Sequence, residues 1–377
     1  MQALITLAAF LLTLGVLVSF HEFGHFLAAR CCGVRVLRFA IGFGKPLFTY
    51  RAKNNTEWVL ASIPLGGYVK LLDGRDPEQV IALAQESQAF DRKPLWQRSL
   101  IVAAGPFANF LLAILFFALI YISGAPQLPA VLQNPPEQSV AAKLGLMEGD
   151  RVIGWQDLGA EENEAPSFGD FDPVLSWNAL RWSLMDALTG QNGFALELQT
   201  PAGGSSVKVF YAKDLPKITP DKDTMLALGI LPAKTPLAQW QDLKLGPIDA
   251  LIFASQRVWV ITKVSARLML GLFTGNTSLK QLGGPLSIAD MAGKSAQVGW
   301  QPFLAFLALM SISIGLLNLL PFPMLDGGQL LYDAWELVAG RRISTSMQEQ
   351  LQKVGFVLLI SMSLLALFND LQRYISP

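Results

Sequence analysis

The stretch LVSFHEFGHFLAAR, residues 17–30, holds both histidines of the 377-residue chain, His21 and His25, with Glu22 between them. The residues before it, from Ala3 onward, are almost all apolar, and the run reaches the roughly 20 residues that a helix needs to cross a bilayer. Ionisable groups in a hydrocarbon-facing helix are costly, and by default they mark a functional site. On a helix, residues four apart lie one turn apart on one face, so His21 and His25 can both turn a ring nitrogen towards a single metal ion. Glu22 projects close to that face, where a carboxylate can act as general base on water activated by the metal, the zinc-hydrolase pattern. The competing reading is two buried histidines bonded to their neighbours, and it is weaker in a membrane helix than in a soluble chain.

Composition agrees with a membrane setting. Hydrophobic residues make up 52% of the chain and charged ones 15%, well below the charged fraction usual in soluble proteins. Net charge is zero, which gives no case for a nucleic-acid partner. Four windows are long and apolar enough to span a bilayer: about Ala3–Ala29, Leu100–Ser123, Pro302–Leu325 and, shortest, Val354–Phe368. A fifth apolar segment, Ile248–Phe273, is interrupted by Arg257, Lys263 and Arg267 and reads as an amphipathic helix on the membrane surface. The first window lacks a basic leader and a small-residue cleavage site, so a retained helix is expected rather than a signal peptide. Arg30, Arg35, Arg38, Lys45, Arg51 and Lys53 follow it and nothing basic precedes it, which orients the 30–98 loop to the cytoplasm and both termini outside.

Between the second and third spans the composition becomes that of a soluble domain. GFALELQT (193–200) and SSVKVFYA (205–212) alternate apolar and polar residues around Pro201–Gly204, a hairpin signature. Nearer the N-terminus, PLFTYRAKNNTEWVLASIPLGGYVKLL (46–72) alternates around KNN and predicts a second hairpin close to the membrane. The expected fold is a polytopic α-helical membrane protein of about four transmembrane helices, with a membrane-associated β-hairpin and one inserted β-rich domain. The boundaries fall at 1–123 for the N-terminal membrane part, 124–235 for the outer domain, 236–300 for the surface-helix region and 301–377 for the C-terminal membrane part.

A catalytic zinc takes three protein ligands and leaves one position open. No third histidine exists, so the remaining ligand is a carboxylate or a thiolate. Asp326 is the best carboxylate: the uncharged run from Gln301 ends in this acid, followed by Gly327 and Gly328. Cys32 is the rival, seven residues beyond His25; with Cys31 it also reads as a small apolar residue at a helix end, and the adjacent pair offers no disulfide framework.

HEFGH in the first span, GPFAN in the second and MLDGG at the end of the third together resemble the site-2 protease family of intramembrane zinc metalloproteases, closest to its bacterial regulator-of-sigma-E branch. IGFGKPLF, IPLGGYVKLLD, AAGPFANF, GGPLSIA and GLLNLLPFPMLDGGQLL extend the resemblance in order over nearly the whole chain. The resemblance implies Zn2+ held by His21, His25 and Asp326, with Glu22 as the catalytic base. It implies a substrate-binding role for Asn318, whose amide could donate to a carbonyl oxygen as charge develops. It also implies that the region of Gly42, Phe43 and Gly44 holds substrate as an extended strand, since a helix must unwind before its peptide bonds can be attacked. Asn109 reads as a packing residue. SVAAKLGLMEGDRVIGW (139–155) looks like the helix-turn-strand of a bacterial PDZ domain, and LALGILP (226–232) would suit its closing strand. The best-known members of the branch carry two tandem PDZ domains; here one signature occurs, with an acidic insert at about 157–172. Such a domain would either read extended peptides or act as a size filter that excludes bulky outer domains.

The expectation from sequence is therefore an intramembrane zinc endopeptidase of the bacterial inner membrane, with its active site near the cytoplasmic side. It would cut single-span proteins in the bilayer, with anti-sigma factors and remnant signal peptides as the implied substrates. A metal-binding membrane scaffold or chaperone, the alternative, would not need Glu22. A metal transporter would need a polar path that the spans lack.

Overall fold

A computed structural model describes residues 2–76, 79, 81, 83–159, 166, 169–216, 224–234, 240–273 and 283–375. The chain divides into two compact units, Met1–Phe116 with Leu282–Pro377, and Phe117–Gln281. The first helix, α1 (Gln2–Cys31), carries the HEFGH motif and stops at Gly33, which takes a left-handed φ of 67°. Strands β1 (Val36–Arg51) and β2 (Glu57–Leu71) follow as an antiparallel hairpin. Its register is folded on itself. Arg38 pairs with both Glu57 and Lys70, and Ile41 with both Leu60 and Gly67, so the 38–41 stretch has a neighbour on each side. The segments lie in the order 46–51, 57–61, 38–41, 67–71, and the last is a sheet edge. Arg38 ties the hairpin with a 2.8 Å ion pair to Glu57 and a hydrogen bond to the Tyr68 hydroxyl. The hydrogen bond from Arg38 holds the Glu57 carboxyl below the usual carboxylate range.

Helix α2 (Leu95–Ser123) crosses α1 at Gly24. A methyl group there would overlap the Ala104 carbonyl oxygen and lie 2.8 Å from the Ala108 side chain, so glycine sets how near the two backbones come. Pro106 lies inside α2, where it removes the donor for the Val102 carbonyl and distorts that turn.

In the second unit, β3 (Ala125–Gln127) leads to the short helix α3 (Val140–Lys143), capped by Ser139, and to β4 (Arg151–Gly159), β5 (Asp172–Pro173), α4 (Trp177–Gly190), β6 (Gly193–Gln199) and β7 (Ser205–Phe210). The four later strands make one antiparallel sheet in the order β5-β4-β6-β7. The β6–β7 hairpin matches the one read from sequence. Leu180 and Leu184 of α4 are fully buried with Phe194, Leu196 and Leu198 of β6 and Phe210 of β7. At 226–232 the closing strand is reduced to one bridge, Leu132 to Pro232, after a short helix α5 (Thr224–Leu228). Within the acidic insert, residues 160–165, 167 and 168 lie outside the described residues.

Strand β8 (Gln241–Leu243) pairs with β3, and α6 (Pro247–Phe273) follows. Lys263 and Arg267 both pair with Asp186 of α4 at 2.5 Å, and Arg257 bonds the Tyr121 hydroxyl and sits over the Phe117 ring. Exposed on α6 are Ile248, Leu251, Ile252, Trp259 and Leu270.

Helices α7 (Pro285–Val298), α8 (Trp300–Asn318), α9 (Asp326–Ala339) and α10 (Thr345–Ile375) complete the first unit. The 236–300 segment thus divides, with α6 in the second unit and α7 packed on α1 in the first. Asp370 of α10 is fully buried and accepts from the Gly284, Leu286 and Ser287 backbone N–H groups at 3.0 Å, capping α7 in place of a local residue. Among the described residues four helices are long and apolar enough to cross a membrane: α1, α2, α8 and most of α10.

Candidate active site

The helical period of α1 sets His21 and His25 on one face, their Nε2 atoms 3.2 Å apart and the ring planes nearly perpendicular. Asp326 reaches them from the far end of the chain. After Asn318, Pro321 and Pro323 prevent α8 from continuing. The chain then turns back so tightly that a Cβ at Gly327 would overlap the Leu319 and Leu320 carbonyls, and one at Gly328 the Phe322 carbonyl. The two glycines serve close backbone packing rather than flexibility. Asp326 therefore opens α9, with its Oδ2 3.2 Å from His21 Nε2 and 3.5 Å from His25 Nε2.

Several features suit these three groups to a metal ion. Ligands about 2.05 Å from a tetrahedral zinc stand about 3.3 Å apart, close to the 3.2, 3.2 and 3.5 Å separations found here. Asp326 Oδ2 is buried and faces only the two Nε2 atoms among the described residues, an arrangement in which one cation can take all three lone pairs. His25 Nδ1 lies 2.8 Å from the Ile101 carbonyl oxygen, which can only accept; Nδ1 therefore carries the hydrogen and Nε2 keeps its lone pair for the centre. Gly105 leaves the space beside both rings open, since a methyl group there would overlap His25 Nε2. Two imidazoles and one carboxylate are a donor set that zinc accepts. No other group of three such ligands occurs among the described residues. Cys32 instead packs with Ala29, Val34 and Ile101 in an apolar cluster.

Glu22 lines the same cleft of about 390 Å³, together with Asn318, Tyr68 and Val69. The Val69 backbone N–H is directed at the Glu22 carboxylate. Strand residues 67–71 are the sheet edge, and Gly67 lets that edge approach α1: a Cβ there would stand 3.1 Å from Glu22 Cγ and 3.2 Å from Val18 Cγ1. Gly42, Phe43 and Gly44 do not line the cleft. They form the turn leaving the 38–41 segment, with φ of 90° at Gly42 and 89° at Gly44, and Phe43 stacks on Tyr68 at 6.3 Å. The hairpin meets the cleft through Tyr68, Val69 and Leu71, and Phe43 stands one ring behind Tyr68.

The helix that supplies Asp326 is anchored by charge. Arg98 of α2, with a fully buried side chain, pairs with Glu336 at 2.7 Å and lies 3.7 Å from Asp333, which also accepts from Ser99. Arg342 adds a 3.2 Å pair to Glu336. Burial pushes the Glu336 carboxyl up, but the hydrogen bonds from Arg98 and Arg342 outweigh it and hold it below the usual range.

One residue that sequence reasoning left to packing touches this centre: Asn109, fully buried on α2, has its side-chain nitrogen 3.2 Å from His21 Nδ1. A polar amide in an otherwise apolar span was the signal that could have found it.

The model of peptidase family M50 matches residues 9–362 of the chain. A protein of Ralstonia nicotianae named as a zinc metalloprotease is 34% identical, over 98% of this chain and 99% of its own length. The regulator of sigma E protease of Haemophilus influenzae is 33% identical over 99% of this chain and 100% of its own, and the regulator of sigma-E protease RseP of Escherichia coli is 33% identical over 97% and 98%. The alignment with the Haemophilus protein runs over 445 positions, more than the 377 residues here, so that relative carries segments without a counterpart in this chain.

Proposed function

This chain belongs to peptidase family M50, and from that premise and the geometry of the cleft we propose that it is an intramembrane zinc endopeptidase that cuts single-span membrane proteins. His21, His25 and Asp326 hold the zinc, which when bound supplies the Lewis acidity that makes water a nucleophile near neutral pH. Glu22 accepts the proton of the attacking water and returns it to the leaving amine. Asn318, at the end of α8 in the same cleft, donates its amide to the carbonyl oxygen as charge develops. The substrate lies extended along the edge at residues 67–71, where backbone groups pair with an unwound segment, and Phe43 with its flanking glycines supports Tyr68 from behind. Extended binding is required because the peptide bonds of a spanning helix are internally bonded and shielded.

The substrates are of the anti-sigma-factor and remnant-signal-peptide type, a reading supported by the regulator-of-sigma-E relatives. The protein resides in the bacterial inner membrane, with both termini and a PDZ-like domain within 124–235 on the outer side and the cleft nearer the cytoplasm, as the basic residues between the first two spans favour. The observation that carries the reading is the convergence of His21, His25 and Asp326 on one point in the cleft that Glu22 also lines. Purified protein in liposomes with a tagged single-span substrate tests it. Cleavage should stop on chelation and return with Zn2+; cleavage indifferent to chelation, with no metal bound, would refute it.

A further inference from the structure

Asn109 is fully buried in α2, and its place is fixed from two sides. The Ser311 hydroxyl of α8 donates to its carbonyl oxygen at 2.7 Å, and Gly315 brings α8 close enough that a Cβ there would stand 3.3 Å from the Asn109 Cβ. The amide therefore meets His21 from a braced backbone. Its nitrogen lies 3.2 Å from His21 Nδ1, while its Oδ1 is buried with no hydrogen-bond partner among the described residues. An orphaned buried acceptor beside a histidine nitrogen is an unpaired group that needs a physical reason.

The tautomer of His21 supplies one. If His21 Nε2 gives its lone pair to a metal, Nδ1 must carry the hydrogen, and an amide nitrogen facing it would set donor against donor. Turning the amide by 180° exchanges its two ends, which are nearly indistinguishable in shape, and places Oδ1 on the Nδ1–H. Without a metal the opposite arrangement is satisfied: Nε2–H faces Asp326 Oδ2 at 3.2 Å and the amide donates to a bare Nδ1. A carboxamide is able to serve both states, because it offers a donor and an acceptor at one position and adds no charge to a buried site.

We propose that Asn109 is a positioning residue for the metal centre, an amide that accepts the Nδ1–H of His21 in the zinc-loaded protein and so fixes the ring with Nε2 towards the ion. The inference rests on the zinc reading above. It pairs the two histidines with different outer partners, His25 with the Ile101 carbonyl and His21 with a side chain. Outer partners of this kind typically account for about 10- to 100-fold in metal affinity.

Zinc dissociation, measured by chelator competition on purified full-length protein in detergent, tests it with two variants. Asn109→Leu has nearly the same volume and no acceptor, and should weaken zinc about 10- to 100-fold. Asn109→Asp keeps the acceptor and should hold zinc within about threefold of wild type, since histidine paired to a carboxylate is an equally common arrangement. Cobalt substitution gives a second readout: the visible bands should shift in Asn109→Leu and be largely kept in Asn109→Asp. Equal affinity in wild type and Asn109→Leu, or an equal loss in both variants, would overturn the proposal and leave Asn109 as packing. Failure of the wild type itself to hold zinc would overturn the zinc reading instead.

Discussion

Placing a methyl group at Gly105 probes the centre without touching a ligand. The Cβ of Gly105→Ala would stand 2.5 Å from His25 Cε1 and 2.9 Å from His21 Cε1, and would overlap His25 Nε2. Ordinary carbon contacts begin near about 3.5 Å, so the His25 ring has to withdraw by about 1 Å or swing away. Either movement breaks its 2.8 Å bond to the Ile101 carbonyl and takes Nε2 out of the 3.2 to 3.5 Å triangle that suits a tetrahedral ion. Helix α2 itself should gain from the change, because alanine is favoured over glycine in a helix interior by about 1 kcal/mol. A loss of function therefore cannot be laid to unfolding of the helix. Loss of a direct ligand should exceed the roughly 100-fold that outer partners are worth, so zinc affinity should fall more than about 100-fold and cleavage with it. Chelator competition and cleavage of a reconstituted substrate measure the two, with circular dichroism as the check on folding. Wild-type zinc affinity in Gly105→Ala would refute the placement of the metal between these rings.

Gly67→Val should push the 67–71 edge away from α1, where a Cβ alone would stand 3.1 Å from Glu22 Cγ and 3.2 Å from Val18 Cγ1; zinc content should stay at the wild-type level while cleavage falls at least about tenfold. Arg98→Met leaves Asp333 and Glu336 without their buried cation and should destabilise the protein by about 3 kcal/mol, read as a lower midpoint in detergent melts. Glu336 has a folded pKa below its ordinary value of about 4.3, so its contribution is fully present above that pH and fades as the pH falls through the lowered value. The difference in melting midpoint between wild type and Glu336→Gln should accordingly shrink on acidification below about pH 4, and a constant difference would sink that assignment.

Much of this architecture is readable in the residues. The four spans are visible because each buries its backbone bonds within one long apolar run, and HEFGH because an ionisable trio in such a run is costly to keep unless it binds something. Asp326 stands out for the same reason. The hairpin at 46–72 is legible, but its folded register is not: alternation gives strands, and bulges and doubled pairings are set by the neighbours they meet. Alternation therefore does not show that Tyr68, Val69 and Leu71 are the hairpin residues that line the cleft. The partners of the α6 cations, Asp186 and Tyr121, are not legible because helical periodicity gives a face and not a partner, and both lie far away in sequence. The Asn109 amide reads only as packing because its contact to His21 spans 88 residues and no local pattern encodes it.

Glu22 as the proton acceptor, beside a zinc held by His21, His25 and Asp326, is what the whole assignment turns on. Cleavage of a single-span substrate by reconstituted wild type and Glu22→Gln, each assayed for bound zinc, tests it most directly. Glu22→Gln keeps the size of the side chain and removes its basicity, so both proteins should hold zinc and only the wild type should cut. Cleavage by zinc-loaded Glu22→Gln at the wild-type rate would contradict that role.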